Sequence, residues 1–450
     1  MDNIRVIILA AGKGTRMKSE LPKAMHEAAG RPMLGWAVEA VKSIDPKPVV
    51  VVGYNRSVIE EYFTDSVDYA LQLEQKGTGH ACFMAGEYMP ENGYVLITLG
   101  DMPLLTPAVV EKLCGDTIGK GWAGAVLAAN LSDPAGYGRV IRDSAGYAAG
   151  IVEHRDCTPE QLAIHEVNTS VYCFKSNLLL EALGQIGTDN DQGEYYLTDV
   201  VSILSSGGYK IGVSVCSEEE GSGVNDRAQL ADASRILRRR INRAHMTAGV
   251  TIIDPENTYI GPDVVIEADA VIYPNNFIEG GSSIASGAVL YPGNHIVSSA
   301  IGKNTQVRSS TLIEAAVGDN STIGPNAYLR PDSKIGSNCR IGDFVEVKNS
   351  VIGDGTKVSH LTYVGDADLG RDINVGCGVV FVNYDGRKKQ RTVVGDGAFL
   401  GCNTNLVAPV RIGKNAYTAA GSTITKDVPE DALAIARSRQ ENKEGWSKKR

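Results

Sequence analysis

Apolar residues recur with different periods in the two halves of this 450-residue chain. Within residues 1–225, short uninterrupted apolar runs alternate with stretches of helical spacing. Runs of this kind are typical of buried parallel strands joined by helices, so we expect an α/β doubly wound, Rossmann-like domain with a mostly parallel sheet. The predicted strands are 6–9, 48–53, 94–101 and 124–128, and the predicted helices include 32–44 and 106–113.

After Gly249 the aliphatic residues recur every six positions, a period that neither a helix nor an ordinary strand has. A small residue often follows, as in Ile335-Gly336. This hexapeptide repeat predicts a left-handed parallel β-helix over 249–450, in which each coil stacks on the one below. The repeated positions are Ile260, Ile266, Ile272, Ile278, Ile284, Leu290 and Ile296, then Ile323, Leu329, Ile335, Ile341 and Val347, and later Val394, Leu400, Leu406 and Ile412.

Residues 226–248 separate the two patterns. Leu230, Ile236, Leu237 and Ile241 share one face of a predicted helix, and arginines occupy the other. A solvated connecting helix explains this pattern better than a nucleic-acid patch does. We therefore expect three segments: 1–225, a linker helix at 226–248, and 249–450.

The repeat is interrupted after Phe381, where VNYDGRKKQRT is polar and basic. The next apolar position in phase is Val394, thirteen residues on where twelve would keep the phase. A solenoid interior cannot hold these charges, so we expect an extruded loop. It is either a solubilising bulge or a loop that meets an anionic ligand or a neighbouring subunit.

The first strand runs into LAAGKGTRM, a loop with glycines at positions 12 and 14. Such glycines let backbone N–H groups face an anion, which indicates a nucleotide site. The spacing does not match a Walker A loop or a dinucleotide fingerprint, which argues against hydride transfer. Arg16 and Lys23 follow the loop, and two cations in this position suit a polyphosphate.

Charge and composition limit the kinds of molecule that this chain is expected to bind and the compartment in which it is expected to occur. The 44 Lys+Arg and 53 Asp+Glu residues give a net charge of −9, so we expect no binding to nucleic acid or to an acidic membrane surface. The N-terminus lacks a basic leader and the longest apolar run is too short to span a bilayer, which predicts a cytoplasmic protein. The eight scattered cysteines show no metal-binding spacing and are expected to be reduced thiols.

Several short motifs follow one another in order along the chain. They are LAAGKGTRM with LPK, EQKGTGHA (74–81), GDMPL (100–104), GYGR (136–139), IVEH (151–154), EVNT (166–169) and GVN (223–225), together with the hexapeptide half. This ordered set resembles the bacterial bifunctional N-acetylglucosamine-1-phosphate uridyltransferase / glucosamine-1-phosphate N-acetyltransferase family over the whole chain. The resemblance implies acetylation of glucosamine 1-phosphate by acetyl-CoA, followed by transfer of uridylate from UTP to N-acetylglucosamine 1-phosphate with release of pyrophosphate. It also implies Mg²⁺ as cofactor and a homotrimer.

For the first half, the resemblance implies a role for each matched residue. Arg16 and Lys23 would act on the triphosphate, and Asp101 and Asn225 would hold Mg²⁺. The nucleotide would be lined by Leu9, Ala10, Ala11 and Gly12, the uracil by Gln72, Gly77 and Thr78, and the sugar by Gly138, Glu153 and Asn168. Because the sugar phosphate is itself the nucleophile, such a site needs positioning and charge neutralisation rather than a base.

For the second half, the resemblance implies His360, within SHLTYVGD, as general base. Arg330 and Lys348 would contact the sugar phosphate, and Tyr363 and Asn374 the sugar. Asn383 and Tyr384 would lie on the extruded loop. The acetyl-CoA site would include Cys377, Asn383, Tyr384, Cys402, Ala420 and Arg437.

The chain departs from the family pattern at four positions. Leu99 replaces an aromatic residue before Gly-Asp, Asp226 adds a carboxylate that could compete for the metal, and Cys377 and Cys402 replace small residues. Two other functions are compatible with parts of the pattern: a monofunctional sugar-1-phosphate nucleotidylyltransferase with a regulatory or scaffolding β-helix, and a non-catalytic β-helix protein. The polar set at His360, Asn383 and Tyr384 argues against the first, and Lys23 with the Asp101/Asn225 pair against the second.

Overall fold

The computed structural model describes residues 3–449 and divides the chain into two compact units, Met1–Leu237 and Arg238–Arg450. The division falls inside the helix that was predicted to join the halves. None of the helices among residues 3–449 is both long and apolar enough to cross a membrane.

The first unit alternates strands and helices, as its apolar runs predict. Its strands are β1 Ile4–Leu9, β2 Glu27–Ala28, β3 Arg31–Pro32, β4 Val49–Val52, β5 Asp68–Leu71, β6 Tyr94–Leu99, β7 Gly124–Asn130, β8 Arg139–Arg142, β9 Ala148–Val152, β10 Glu166–Lys175 and β11 Ile211–Cys216. Its helices are α1 Met33–Val41, α2 Arg56–Phe63, α3 Thr78–Met84, α4 Pro107–Gly119, α5 Pro159–Leu162, α6 Ser176–Leu183, α7 Asp199–Ser206 and α8 Glu218–Gly221. The next helix, α9 Arg227–Thr247, contains the division between the units.

The main sheet has the order β11-β7-β10-β6-β1-β4-β5. It is mixed, because the long strand β10 runs antiparallel to both β6 and β7. Strand β1 pairs in parallel with β4 on one side and with β6 on the other. The strand order therefore reverses beside β1, and the crevice at the carboxyl ends of β1 and β6 is where such sheets bind ligands.

Two apolar cores cover the faces of this sheet. Because side chains alternate along a strand, Ile7 and Leu9 join the core under α3, α6 and α7, while Val6 and Ile8 join the core under α1, α2 and α4. The sheet is thus buried on both sides, and its ligands can be reached only at the strand ends.

The second unit contains three parallel sheets of very short strands. The first consists of β12 Thr251–Ile252, β15 Val271–Ile272, β18 Val289–Leu290, β21 Gln306–Val307, β24 Thr322–Ile323, β27 Arg340–Asp343, β30 Lys357–His360, β33 Asn374–Val375, β36 Phe399–Leu400, β39 Tyr417–Thr418 and β41 Leu433–Ala434. The second consists of β13 Tyr259–Ile260, β16 Phe277–Glu279, β19 His295–Val297, β22 Thr311–Ile313, β25 Tyr328–Leu329, β28 Glu346–Lys348, β31 Tyr363–Gly365, β34 Val380–Val382, β37 Asn405–Val407 and β40 Thr423–Ile424. The third consists of β14 Val265–Ile266, β17 Ser283–Ile284, β20 Ala300–Ile301, β23 Ala315–Val317, β26 Ser333–Ile335, β29 Val351–Ile352, β32 Ala367–Leu369, β35 Thr392–Val394 and β38 Val410–Ile412.

Successive strands visit the three sheets in turn, which confirms the β-helix. Ile272 lies beside Leu290 of the next coil, and these inward aliphatic residues form one continuous core. The spacing of six is not visible in the sequence between Ile296 and Ile323, but the core continues there through Ile301, Val307, Leu312 and Val317. Several corners there are one residue shorter, and this shortening hides the period of six.

The interruption after Phe381 differs from the sequence interpretation in one respect. The chain from Phe381 to Val394, thirteen positions on, makes a single step from the second sheet to the third, because Val394 pairs with Leu369. The loop therefore replaces one corner of a coil rather than two. Tyr384 and Lys389 form an antiparallel bridge within it, so it is an extruded hairpin.

Truncation of one inward aliphatic residue should weaken the β-helix. Ile272 is fully buried, and Ile272→Ala removes three carbons from a close-packed core, which typically costs about 2–5 kcal/mol. Val265, 63% exposed on a neighbouring strand, offers a matched control, and Val265→Ala should change stability by less than ~0.5 kcal/mol. Denaturant titration followed by circular dichroism measures both. Equal midpoints for the two variants would contradict the assigned core.

Candidate functional sites

A cavity of about 350 Å³ opens at the carboxyl ends of β1 and β6. It brings together most residues predicted for the nucleotide, namely Leu9, Ala10, Ala11, Gly12, Lys23, Gln72, Gly77, Thr78 and Asp101. Leu99, the departure noted above, is also part of its wall. Sequence analysis missed Gln75 and Glu194, which line the same cavity from later loops. Gln75 lies within the quoted motif EQKGTGHA, which was the available signal, whereas Glu194 belongs to no recognised motif.

Backbone geometry explains two glycines of this cavity. Gly14 has φ = 67°, and a Cβ there would overlap the Cβ of Lys23. A Cβ at Gly53 would come within 2.9 Å of the carbonyl oxygens of Ala11 and Gln72. The glycines therefore allow the loops after β1 and β4 to pack against each other and against Lys23.

Four polar side chains meet at one end of the cavity. The Lys23 ammonium forms an ion pair with Asp101 and donates to Asn225 Oδ1 at 2.9 Å. Arg16 donates to the same Asn225 oxygen at 2.7 Å. The amide of Val224 donates to the Asp101 carbonyl at 3.0 Å, which holds the Asn225 loop against the end of β6. The structure thus brings the four residues predicted for triphosphate and metal into one cluster.

This cluster fits a hard divalent cation. Asp101 Oδ1 is buried and has no hydrogen-bond partner within residues 3–449, so one carboxylate oxygen is left for a ligand. Asn225 supplies an amide oxygen beside it, and oxygen donors are what Mg²⁺ prefers. The described part of the chain has no group of three or more acidic, His or Cys side chains suited to a metal. Other oxygens, from water or phosphate, would have to complete the coordination.

Asp226, beside Asn225, lies at the start of a helix. Its Oδ1 accepts from the amides of Ala228 and Gln229, both at 2.9 Å, so it caps the N-terminus of α9. The Gln229 side chain in return accepts from the Asn225 amide at 2.7 Å. One oxygen of the Asp226 carboxylate is therefore committed to helix capping.

The residues predicted for the sugar lie together on neighbouring strands. The backbone N–H of Asn168 donates to the Gly138 carbonyl at 2.8 Å. A Cβ at Gly138 would lie 3.4 Å from Glu153 Oε2. Burial raises the pKa of Glu153. Asn168 Nδ2 donates to the Tyr172 hydroxyl at 2.7 Å, so one hydrogen of this amide group is left for a ligand.

The side chain of Gln72 is held in one orientation. Its Nε2 donates to the Gly77 carbonyl at 3.1 Å and lies 3.0 Å from His80 Nδ1. A carbonyl only accepts, so the amide nitrogen must face Gly77, and His80 Nδ1 must then act as acceptor. Gln72 Oε1 is consequently the atom free to accept from a ligand. Sequence analysis missed His80, although it belongs to the same motif.

In the second unit, five residues occupy equivalent positions on successive coils of the first sheet. Asp343 pairs with His360, and the registers of the following strands continue the column to Cys377, Cys402 and Ala420. His360 Nδ1 lies 2.8 Å from Asp343 Oδ1. Predicted residues His360, Cys377, Cys402 and Ala420 thus form one surface, and Arg437 lies near its end, with its Cδ 3.7 Å from a Cβ placed at Gly421. Asp343 was not predicted, because nothing in the local sequence marks it.

A second group lies at the base of the extruded loop. Asn383 Nδ2 donates to the Tyr363 hydroxyl at 3.2 Å and to Asp366 Oδ2 at 2.5 Å. Asn349 Nδ2 donates to the other Asp366 oxygen at 2.6 Å. The Tyr363 ring lies where a Cβ of Gly365 would be, so only glycine allows this position. The structure joins predicted residues Tyr363 and Asn383 and adds Asp366.

Cations surround this group. Lys348 is close enough to Lys389 of the loop to lower the pKa of Lys389, which indicates a position suited to an anion. Arg330 forms an ion pair with Glu346 at 2.8 Å. Arg391 binds both oxygens of Asp368 at 2.6 Å, and it anchors the loop to the preceding coil, since Asp368 lies on β32. Lys389 was missed as a site residue, although it stands in the basic segment singled out from the sequence.

Two predicted residues stand apart from these contacts. Asn374 is exposed on β33 of the first sheet, whereas Tyr363 lies on the second sheet, and no hydrogen bond joins them in the described residues. Tyr384 is 58% exposed on the extruded hairpin. A single chain therefore leaves part of the predicted acetyl-transfer set open to solvent.

Comparisons with known proteins cover both units. The profile of the MobA-like NTP transferase domain matches residues 6–189, and that of the bacterial transferase hexapeptide (six repeats) matches residues 314–349 and 391–426. The chain is 48% identical to "Bifunctional protein GlmU" of Clostridium botulinum (strain 657 / Type Ba4) over 99% of this chain and 98% of that protein. It is 51% identical to the protein of the same name from Caldanaerobacter subterraneus subsp. tengcongensis over 100% of this chain and 99% of the relative.

Burial predicts an order of thiol reactivity. All eight cysteines are free; Cys402 is exposed, while Cys82, Cys114 and Cys173 are buried, and burial raises the pKa of Cys82 to about 12. Thiolates are the reactive form, so iodoacetamide at pH 8 should modify Cys402 in the native protein and the three buried thiols only in denaturant. Peptide mass spectrometry measures this. Modification of Cys82 at the rate of Cys402 in the native protein would contradict the described packing.

Proposed function

The chain belongs to the family of bifunctional GlmU proteins, and from this premise we propose how its two units divide the synthesis of UDP-N-acetylglucosamine. The second unit acetylates glucosamine 1-phosphate with acetyl-CoA, and the first couples the product to UTP with release of pyrophosphate. The observation that carries this division is that each unit contains its own polar constellation, one at Lys23, Asp101 and Asn225 and one at Asp343 and His360.

In the first unit, the cavity beside β1 holds the nucleotide. Gln72 Oε1 accepts from the N3–H of uracil, because its amide nitrogen is already committed to Gly77 and His80. Arg16 and Lys23 neutralise the triphosphate, and Gly138, Glu153 and Asn168 hold the sugar. The phosphate oxygen of the sugar attacks the α-phosphorus and pyrophosphate leaves, so these residues contribute position and charge rather than a base.

Asp101 and Asn225 would hold Mg²⁺, and the unpartnered Asp101 oxygen supports this assignment. At this position, Mg²⁺ would supply neutralisation of phosphate charge. Lys23 contacts both residues, so it lies where it can exchange these partners for a phosphate.

In the second unit, His360 takes a proton from the amino group of glucosamine 1-phosphate as that nitrogen attacks the thioester carbonyl. The C–N bond forms, the C–S bond breaks, and coenzyme A leaves as the thiol. Lys348 and Lys389 bind the sugar phosphate, with Arg330 nearby on the preceding coil. The column of Cys377, Cys402 and Ala420 supports the pantetheine chain. Proton transfer of this kind contributes ~10²–10⁴-fold in rate.

Single substitutions should separate the two activities. His360→Ala should lower the kcat of acetyl transfer by ~10²–10⁴-fold and leave uridyl transfer from supplied N-acetylglucosamine 1-phosphate unchanged. Asp101→Ala should do the reverse, because it removes a metal ligand from the other unit. Product formation is measured by mass spectrometry with UTP, acetyl-CoA and Mg²⁺. A monofunctional nucleotidyltransferase would make no acetylated product at all, and parallel loss of both activities in either variant would exclude two separate sites.

We further propose that three copies assemble and complete the acetyl-transfer sites between them. This is supported by the exposure of Asn374, Tyr384 and Cys402 in the single chain and by the separation of Asn374 from Tyr363. Sedimentation equilibrium should return the mass of three chains. An active species with the mass of one chain would rule the assembly out.

Because UTP and acetyl-CoA are cytoplasmic metabolites, we propose a cytoplasmic enzyme.

A further inference from the structure

The hydrogen bond between Asp343 and His360 has a consequence for catalysis. We propose that Asp343 is a positioning residue that fixes the tautomer and the orientation of the His360 imidazole for acetyl transfer. The inference rests on the proposed function, in which His360 is the general base. Nothing in the local sequence around Asp343 indicates this role.

The tautomer follows from the chemistry of the contact. A carboxylate can only accept, so Nδ1 of His360, 2.8 Å from Asp343 Oδ1, must carry the proton. The lone pair of the neutral ring is then on Nε2, for which the structure records no partner within residues 3–449. The His360 side chain is 52% exposed, so Nε2 can be reached by a substrate amine. The hydrogen bond from His360 also holds the pKa of Asp343 below its usual range, which keeps it charged as an acceptor.

The backbone holds both partners at a fixed spacing. Asp343 and His360 end strands β27 and β30 and are direct partners in the parallel register. The Leu361 amide donates to the Asp343 carbonyl at 3.0 Å, and the Thr362 hydroxyl donates to the His360 carbonyl at 2.7 Å. Both residues therefore have immobilised main chains, which leaves side-chain rotation as the freedom that the hydrogen bond removes.

The corner that follows each partner is unusual. Most non-glycine residues with positive φ in the described β-helix are Asn, Asp or Ser, which tolerate that region. Phe344 (φ = 55°) and Leu361 (φ = 41°) are its two apolar examples, and each directly follows one member of the pair. Such strain persists where the surrounding structure enforces it, and it is concentrated at functional sites. Two stacked strained corners thus aim Asp343 and His360 in the same direction.

A double-mutant cycle tests the inference. Asp343→Ala should lower the kcat of acetyl transfer by roughly 10–100-fold with little change in either KM, because a misoriented base slows chemistry rather than binding. In a His360→Ala background the same substitution should cost nothing further, since no imidazole remains to be oriented. Asp343→Asn retains an oxygen acceptor and should recover part of the lost rate.

The chain offers a matched control. His295 Nε2 lies 3.3 Å from Glu279 Oε2 on the second sheet, a similar acid–histidine pair outside the proposed site. Glu279→Ala should leave acetyl transfer unchanged. Thermal unfolding of every variant shows whether the β-helix is intact.

The outcomes distinguish this inference from the proposed function. If His360→Ala retains acetyl transfer, the assignment of the base is wrong. If His360→Ala is inactive but Asp343→Ala has normal kcat, only the positioning role is wrong. Two other results would also overturn the positioning role. One is an equal fall in kcat when Asp343→Ala is added to the wild type and to the His360→Ala background. The other is a change in KM with kcat unaltered, because either result indicates a structural or binding role.

Discussion

In-register pairing of parallel strands is the constraint on which both halves of this protein depend. Adjacent strands lie about 4.8 Å apart, so residues that are distant in sequence become neighbours wherever two strands end at the same level. In the first unit this aligns Leu9 with Leu99 and brings the glycine loop beside Asp101. In the second it aligns Asp343 with His360, one coil apart. Both candidate sites are built from strand ends, where the backbone is fixed but the side chains remain accessible.

Close stacking of coils also decides which residues the β-helix accepts. A Cβ at Gly342 would overlap the Ser359 carbonyl of the next coil, so this position requires glycine. Buried polar groups are tolerated because they pair along the stack: Asn294 Nδ2 donates to Asn276 Oδ1 at 2.8 Å, and its own Oδ1 accepts from the Ser310 amide at 2.9 Å. A polar column therefore runs beside the aliphatic one without leaving unsatisfied partners. Because the coils repeat, the same kind of hydrogen bonding can recur on the following coil.

The net charge of −9 does not prevent this chain from offering sites for anions. Local arrangement decides the field that a phosphate meets. Lys23 and Arg16 both donate to Asn225, and Lys348 and Lys389 lie close to each other, with Asp366 nearby. Arg391, in contrast, is bound to both oxygens of Asp368, and this pair anchors the extruded hairpin. The amino-acid composition does not indicate which cations lie where an anion could bind and which, like Arg391, hold a loop in place.

The sequence by itself determined the features that depend on local pattern. The period of six predicted the β-helix, the apolar runs predicted the strands of the first sheet, and the glycine loop with Lys23 marked the cavity beside β1, because each is a property of neighbouring residues. Tertiary structure alone decided the rest. It inserted β10 antiparallel into the sheet, made the step from Phe381 to Val394 a single corner, turned Asp226 into a helix cap, and placed Asp343 on His360 and His80 on Gln72. Strand pairing and the chain reversals between strands create these contacts, and no local periodicity encodes which side chains they bring together.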